Sequence, residues 1–334
     1  MGDFSRSLYG ASVLAIVTTL ATSTALAQGA AYPNRPIRII APFPPGNAAD
    51  VASRAMLDRL AQRFGQPVIV DNRSGGAGII GVDAVAKAPP DGYTILITSI
   101  SPVAILPAVH KKLPYDPEKD LLPISMVGFT SMMLVAANHV PVSTLQDVVA
   151  LLKASPGTHN YGHLGGGTIS HLIMESLKVT AGVDVQGIPY KGSAQALTDM
   201  MGGQITLMFD GMTSANIQVK AGKVKALAVT SQRRSPFATT VPTMGEAGVP
   251  GIHDLNMIAW IGMFAPAGTP RSVIERWNNE LKEVTKMPDV IERLGYVSIE
   301  ALPSASPEAF GEFHRNEIAK WSAIAKTAQV FQSQ

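Results

Sequence analysis

The sequence predicts an α/β protein built as two lobes, each a mostly parallel sheet flanked by helices, with two strands crossing between them. Three observations carry that expectation. Short apolar runs alternate with helical patterns along the chain, which is the signature of strand–helix–strand units. The apolar runs are continuous rather than alternating, as suits strands covered on both faces. The candidate strands, spread over 334 residues, are more than one doubly wound sheet of ordinary size holds.

Taken in order, the candidate strands are residues 37–41, 68–71, 94–99, 132–136, 160–162, 187–190, 205–209, 226–230 and 259–265. Between them lie helices with identifiable ends. Ala52, Met56, Leu60 and Phe64 form one stripe that Gly65 stops. Thr168 is placed to cap a helix carrying Ile169, Leu172, Ile173 and Leu177, which ends at Gly182. Ser193 is placed to cap a helix carrying Leu197, Met200 and Met201, which ends at Gly202. Thr269-Pro270 opens a helix with Val273, Ile274, Trp277 and Leu281 on one face, and Ser306-Pro307 repeats the device. The apolar passage 124–137 reads as a strand leaving the first lobe, and 258–265 as the return. The expected division is therefore 28–128 with 252–334 as lobe one and 129–251 as lobe two.

The N-terminus reads as a leader. Residues 8–21 are apolar, and Ala25-Leu26-Ala27 before Gln28 gives a small-residue cleavage pattern, so residues 1–27 are expected to be a signal peptide and the mature chain to be exported. The apolar run is shorter than the ~20 residues a membrane span needs. Charged residues are only 16%, against a usual ~25%, and the net charge is +2. A nucleic-acid binder would carry a concentrated basic face, so that class is excluded. With no Cys, disulfide scaffolds, thiolate metal sites and Cys nucleophiles are excluded as well.

Two loops carry the expected chemistry. In Pro42-Phe43-Pro44-Pro45-Gly46-Asn47-Ala48-Ala49-Asp50, prolines stiffen a strand-to-helix connection. Gly46 and Asn47 are the residues best able to take a positive φ. Ala48 and Ala49 leave their amides open to close approach, at a helix N-terminus that favours an anion. Asp50 falls in the first helical turn, where a carboxylate can lock the loop. The second loop is Tyr161-Gly162-His163-Leu164-Gly165-Gly166-Gly167-Thr168, whose glycines let backbone reach a ligand. Both loops follow strand C-terminal ends, where ligands of open α/β sheets bind, and together they suit a small carboxylate. Ser99, Ser101, Tyr190 and Asp210 sit at the ends of further strands and are candidate contacts, with turn chemistry as the plainer reading of Tyr190-Lys191-Gly192 and Asp210-Gly211.

Other signals read as structural. Gly76-Ala77-Gly78-Ile79-Ile80-Gly81 has dinucleotide-loop spacing, but Asn72-Arg73-Ser74 separate it from its strand and Asp91 comes too early for a ribose acid, so it is a packing turn. No Ser lies in a nucleophile elbow. His159 and His163 are not on a helix, which removes a metal pair. His171 reads as a supporting histidine within its helix. No catalytic residue, metal or cofactor is expected.

These residues resemble the solute receptors of tripartite tricarboxylate transporters, often called the Bug family. The markers are Tyr32-Pro33 before Arg35-Pro36-Ile37, Pro42-Phe43-Pro44-Pro45-Gly46 with Asp50, and Asn72-Arg73 before Gly75-Gly76-Ala77-Gly78. They continue through Pro90-Asp91-Gly92-Tyr93-Thr94, Leu113-Pro114-Tyr115-Asp116-Pro117, Gly165 to Thr168 with His171-Leu172, and Pro189-Tyr190-Lys191-Gly192. Pro242-Thr243 with Glu246 and Gly248, then Ala265-Pro266-Ala267-Gly268-Thr269-Pro270, complete the series over nearly the whole mature chain. The resemblance implies a type II-like, two-lobed periplasmic binding protein that closes on its ligand, acts as a monomer and delivers to a membrane pair of one large and one small subunit. It implies that a ligand carboxylate is held by backbone amides and waters from the two loops. Aliphatic di- and tricarboxylates, amino acids and aromatic carboxylates are the ligand classes it brings. Two departures stand out: Asn47 replaces a second glycine, and His163-Leu164 replace small residues, with His163 placed to stack on an aromatic ligand. Two other readings compete. One is an esterase-like enzyme using His163 with Ser101 or Ser170. The other is a sensor reporting ligand occupancy to a membrane kinase.

Overall fold

The computed structural model describes residues 32–249 and 256–330. The expected leader and the expected boundary at residue 252 lie outside the described residues. Strand β1 (Ile37–Ala41) leads into helix α1 (Ala48–Phe64), which Gly65 ends in the left-handed conformation. Strand β2 (Val68–Asn72), helix α2 (Ile79–Ala86) and strand β3 (Thr94–Ser99) follow. A wide helical turn over Ser101–Ile105 runs into the short helix α3 (Leu106–Val109). Strand β4 (Leu121–Thr130) is followed, after Ser131 alone, by strand β5 (Met132–Ala137).

Then come helix α4 (Leu145–Ala154), strand β6 (Asn160–His163), helix α5 (Ile169–Ala181), strand β7 (Gln186–Pro189) and helix α6 (Ser193–Met201). Strand β8 (Leu207–Gly211), helix α7 (Met212–Lys220) and strand β9 (Val224–Val229) complete the middle of the chain. The return strand β10 (Ala259–Pro266) is followed by helices α8 (Arg271–Val284) and α9 (Pro288–Tyr296), the two-residue strand β11 (Glu300–Ala301) and helix α10 (Pro307–Thr327).

These strands form two sheets, ordered β11-β4-β10-β3-β1-β2 and β7-β6-β8-β5-β9. The parallel expectation holds for β1, β2 and β3 in one sheet and for β6, β7 and β8 in the other. The remaining pairings are antiparallel, so both sheets are mixed. The reason is topological: a strand that leaves a lobe and one that returns to it must run in opposite directions. The passage 124–137 is accordingly two strands in two sheets, with the break at Ser131.

Two helix starts differ from the sequence reading. Gly192, not Ser193, is the N-cap of α6, because the Ser193 hydroxyl is drawn to a carboxylate instead. Thr168 holds the N-cap position of α5, but its hydroxyl donates to Gly165 O at 2.7 Å and caps nothing. Ser306 does cap α10, accepting the Ala309 amide, with Pro307 in the first turn. All three tryptophans are fully buried. Burying an indole N–H requires an acceptor, and Glu317 Oε2 supplies one to both Trp260 (2.9 Å) and Trp321 (3.1 Å).

The two crossings are tied to each other by hydroxyls. Buried Thr230 accepts the Met132 amide at 3.0 Å and donates to Met257 O at 2.8 Å. The Ser131 and Ser231 hydroxyls bond at 2.7 Å. Thr230 therefore links the outgoing and returning segments at one point. Thr230→Val keeps the shape but strands a buried amide and a carbonyl, which costs about 1–3 kcal/mol. We expect calorimetry to show a fall in Tm of about 2–4 °C per kcal/mol for a protein of this size, and Thr230→Ser to recover most of it.

Candidate functional site

The first loop, between β1 and α1, is shaped by a carboxylate. Asp50 is only 1% exposed. Its Oδ2 accepts the Gly46 amide at 2.9 Å, while Oδ1 accepts Arg54 Nε and Asn72 Nδ2, each at 2.9 Å. Burial alone would raise the Asp50 pKa, but these donors hold it below the ordinary carboxylate value. Gly46 takes φ 87°, as a left-handed corner requires. Asn47 does not: its backbone is extended, and its Oδ1 caps α1 by accepting the Ala49 amide at 3.1 Å. The Asn47 side chain is thus spent on its own helix. Ala49 is also fully buried, so its amide is not an open donor. Among the described residues, the Ala48 and Asp50 amides donate to no protein acceptor, and half-buried Ala48 is the first residue of the helix. Pro44, Pro45 and Gly46 are exposed.

The Gly76–Gly81 segment packs this loop in place. A Cβ on Gly78 would meet Phe43 Cζ at 3.2 Å and Pro102 at 3.1 Å, and one on Gly81 would meet Pro42 Cβ at 2.6 Å. Only glycine permits that approach. Phe43 is thereby wedged beside the turn that begins at Ser101, and Asn72 Nδ2 reaches Phe43 O at 3.1 Å. Because β3 runs parallel to β1, half-buried Ser99 and Ser101 lie at the same sheet end as the loop.

The second loop, between β6 and α5, has a different lock. Gly165 and Gly167 take φ 111° and 72°. The Ser170 hydroxyl accepts the Leu164 amide at 3.1 Å, and His171 Nδ1 accepts the Gly167 amide at 3.2 Å. His163 is 6% exposed, and its ring stacks inward on His171 with centroids 4.5 Å apart and lies tilted against Tyr161 at 5.6 Å. The aromatic stacking face imagined for a ligand is therefore occupied by the protein's own rings. Burial lowers the His163 pKa, and burial together with the neighbouring His163 pushes His171 down to about 4. Leu164 and Thr168 are half-buried and Gly166 is exposed at the loop surface.

Tyr190 and Asp210 belong to the same sheet end, since β7 and β8 both run parallel to β6. The Tyr190 amide bonds His163 O at 2.8 Å and its hydroxyl donates to Asp199 at 2.9 Å. Asp210 is fully buried rather than facing outward. Its carboxylate accepts the Ser193 and Ser214 hydroxyls, each at 2.5 Å, and burial pushes its pKa up despite them. Sequence reasoning missed Arg54, Asn72, Ser193 as an Asp210 partner, and Ser214. Arg54 and Ser214 each lie four residues after the acid they serve, a spacing that brings helical side chains together. Asn72 needed the β1–β2 register, which pairs it with Ala41.

The chain matches the model of the tripartite tricarboxylate transporter family receptor over residues 52–330. The protein belongs to that receptor family. It is 38% identical over 315 residues to the protein of the tcbD–tcbE intergenic region of Pseudomonas sp. strain P51, covering 92% of this chain and 91% of that one. It is 34% identical to BugT of Bordetella pertussis, covering 94% and 96%. Among solved structures, R. palustris Rpa4515 with adipate superimposes at TM-score 0.79 and 31% identity, covering 90% of this chain and 99% of that one. MatC from Rhodopseudomonas palustris with bound malate does so at TM-score 0.74 and 29% identity, covering 88% and 99%. The periplasmic binding protein BugD matches at TM-score 0.76 and 33% identity, covering 90% and 100%. Among the described residues of this receptor-family chain, no helix is long and apolar enough to cross a membrane.

The Asp50 lock predicts a pH signature. In Asp50→Asn the new amide turns a donor toward either the Gly46 N–H or the Asn72 amide. Arg54 is half exposed, so its ion pair adds little, and the loss is about 1–2 kcal/mol at pH 7. A carboxylate with a depressed folded pKa stabilises the fold above its unfolded value near 4, and that contribution is lost as pH falls through the folded value. Urea denaturation from pH 7 to pH 3 should show the gap between wild type and Asp50→Asn narrowing only below about pH 4.

Proposed function

We propose that the protein is a periplasmic receptor that captures a small organic carboxylate between its two lobes and delivers it to a tripartite transporter, without catalysis. The observation that carries this reading is the pair of loop–helix junctions at the C-terminal ends of β1 and β6, one in each sheet. Each ends in a helix N-terminus, and the first has an open amide at half-buried Ala48. Neither loop carries a Lys or Arg, so recognition rests on backbone dipoles. The two lobes would be residues 28–128 with 252–334, and 129–251. The membership of β4 and β5 in separate sheets, on either side of Ser131, supports that division. A ligand bridging both loops favours the closed arrangement over the open one, which is the signal a transporter reads. The receptor would work as a monomer, after export and removal of residues 1–27.

Aliphatic dicarboxylates are the first ligand class to try, since relatives at 31% and 29% identity have solved structures with adipate and malate. Asn47 and His163 do not fill the site in this reading, because one caps α1 and the other stacks inward. The hydrolase alternative has little to stand on. His163 stacks inward on His171, whose Nδ1 accepts the Gly167 amide, and among the described residues no hydrogen bond joins either histidine to Ser101 or Ser170.

A thermal-shift and calorimetry panel of di- and tricarboxylates, acidic amino acids and aromatic carboxylates tests the reading. A true ligand at 100 times its Kd stabilises by about 2.7 kcal/mol and is recovered chemically unchanged. The loop role has a sharper test. Proline is well tolerated at the first position of a helix, and the extended backbone of Asn47 suits a following proline. Ala48→Pro therefore removes one open amide without harming the helix, whereas Ala49→Pro would remove the Asn47 cap. The expected result is an unchanged Tm with binding weaker by about tenfold or more, the worth of a hydrogen bond to a charged group. Equal affinity in a folded Ala48→Pro protein would remove the first loop from the site.

A further inference from the structure

His171 is a half-buried titratable group in direct contact with the second loop, and the carboxylate reading makes no use of it. A neutral imidazole has one donor and one acceptor nitrogen. Because Nδ1 accepts the Gly167 amide at 3.2 Å, the ring proton sits on Nε2. Nε2 lies 4.0 Å from Glu175 Oε1, too far for a hydrogen bond. Glu175 Oε1 is already engaged by Tyr161 Oη at 2.6 Å and Lys178 Nζ at 2.9 Å. Among the described residues, the bond at Nδ1 is thus the one hydrogen bond that the imidazole makes, and it fixes a glycine whose φ is 72°.

We infer that His171 is a positioning residue for carboxylate capture: its neutral Nδ1 holds the Gly167 corner of the second loop, and protonation of the ring releases that corner. The inference rests on the carboxylate reading for its functional consequence. The chemistry is an exclusion. Once both ring nitrogens carry protons, Nδ1–H and the Gly167 N–H are two donors face to face, and the amide must leave. A run of three glycines freed from its anchor has many conformations, so the loop no longer presents one arrangement to a ligand.

The surroundings keep the ring neutral at ordinary pH. On β6, Tyr161 stacks at 6.4 Å and His163 at 4.5 Å, so a charge on either histidine opposes a charge on the other. On α5 itself, Glu175 favours the imidazolium and Lys178 opposes it. The only charged residue of β8, Asp210, is bound to Ser193 and Ser214. Where α10 meets α5, the cavity between them is lined by Ser176, Val179 and Thr180 facing Ala323, Ile324, Thr327 and Ala328, with no charged side chain.

The test uses malate and adipate as probes, calorimetry between pH 7 and pH 4, and two variants. An Asn Oδ1 reaches about where His Nδ1 does and accepts a hydrogen bond, but it does not titrate. His171→Leu has no acceptor. At pH 7 we expect His171→Leu to bind about five- to tenfold more weakly than wild type, the worth of one hydrogen bond, and His171→Asn to recover most of that loss. At pH 4, where the ring is about half protonated, the wild type should lose about twofold more affinity than His171→Asn does. Protonation of the probe itself affects both proteins equally and cancels in that comparison. The same acid profile in both proteins would overturn the inference. A second measurement needs no ligand: in nitrogen-15 spectra of the folded protein the Gly167 amide should titrate together with the His171 ring, and stay fixed in His171→Asn. A Gly167 amide indifferent to the His171 titration would likewise overturn it. Should the wild type bind neither probe, the dicarboxylate choice falls, and the Gly167 titration alone decides whether His171 anchors the loop.

Discussion

One buried carboxylate organises the loop between β1 and α1 and the elements around it. Asp50 reaches back to the Gly46 amide, sideways to Asn72 on β2 and forward to Arg54 one turn along α1. Strand, loop, helix and neighbouring strand are thus tied at one point. A buried charge is costly unless its hydrogen bonds are met, and here each oxygen has at least one donor. The consequence for function is indirect but strict. With Gly46 held by Asp50 and Ala49 capped by Asn47, the amides that stay open are fixed in position by groups that have no other task. A loop that bound its ligand with mobile amides would have to order them at the moment of capture and would lose affinity by that amount.

The second loop uses a neutral lock where the first uses a charged one. Ser170 and His171 accept the amides at its two ends, and His171 leans on His163 and Tyr161. The difference matters because the two locks fail under different conditions. The Asp50 lock fails only where carboxylates protonate, whereas an imidazole lock also depends on burial to stay neutral. Between the loops, Thr230 joins the segments that cross from one sheet to the other. The Ser131–Ser231 bond joins the same segments beside it.

Much of this was legible in the sequence, and the errors have physical causes. Strands 37–41 and 94–99 were read to the residue, because continuous apolar runs between turn residues leave little choice. The run 124–137 was read as one strand, because apolar periodicity does not report a change of sheet; Ser131 is the only break. Ser193 was read as a cap, since its residue type favours one, but a buried Asp210 17 residues later outbid the helix for its hydroxyl. The loops themselves were found from their glycines and prolines. Which of their amides stay open was not, because that depends on where the Asn47, Asp50 and His171 side chains turn.

The departures from the commoner family pattern become intelligible on the same grounds. Asn at position 47 looks in sequence like a polar group added to the pocket, yet an extended Asn before a helix is a strong cap, and that use wins. His163 looks like a new stacking surface, yet with a second ring four ångströms or so away at His171 it is worth more inside than out. Both substitutions strengthen the scaffold behind the amides rather than adding contacts in front of them. In the proposed receptor, selectivity between carboxylates would then come from elsewhere at the same sheet ends. Ser99 and Ser101 flank the first loop, and their hydroxyls are not spent on α1 as Asn47 is. Backbone amides recognise a carboxylate as such, and side chains of this kind, set beyond them, are what can distinguish one chain length or hydroxyl pattern from another.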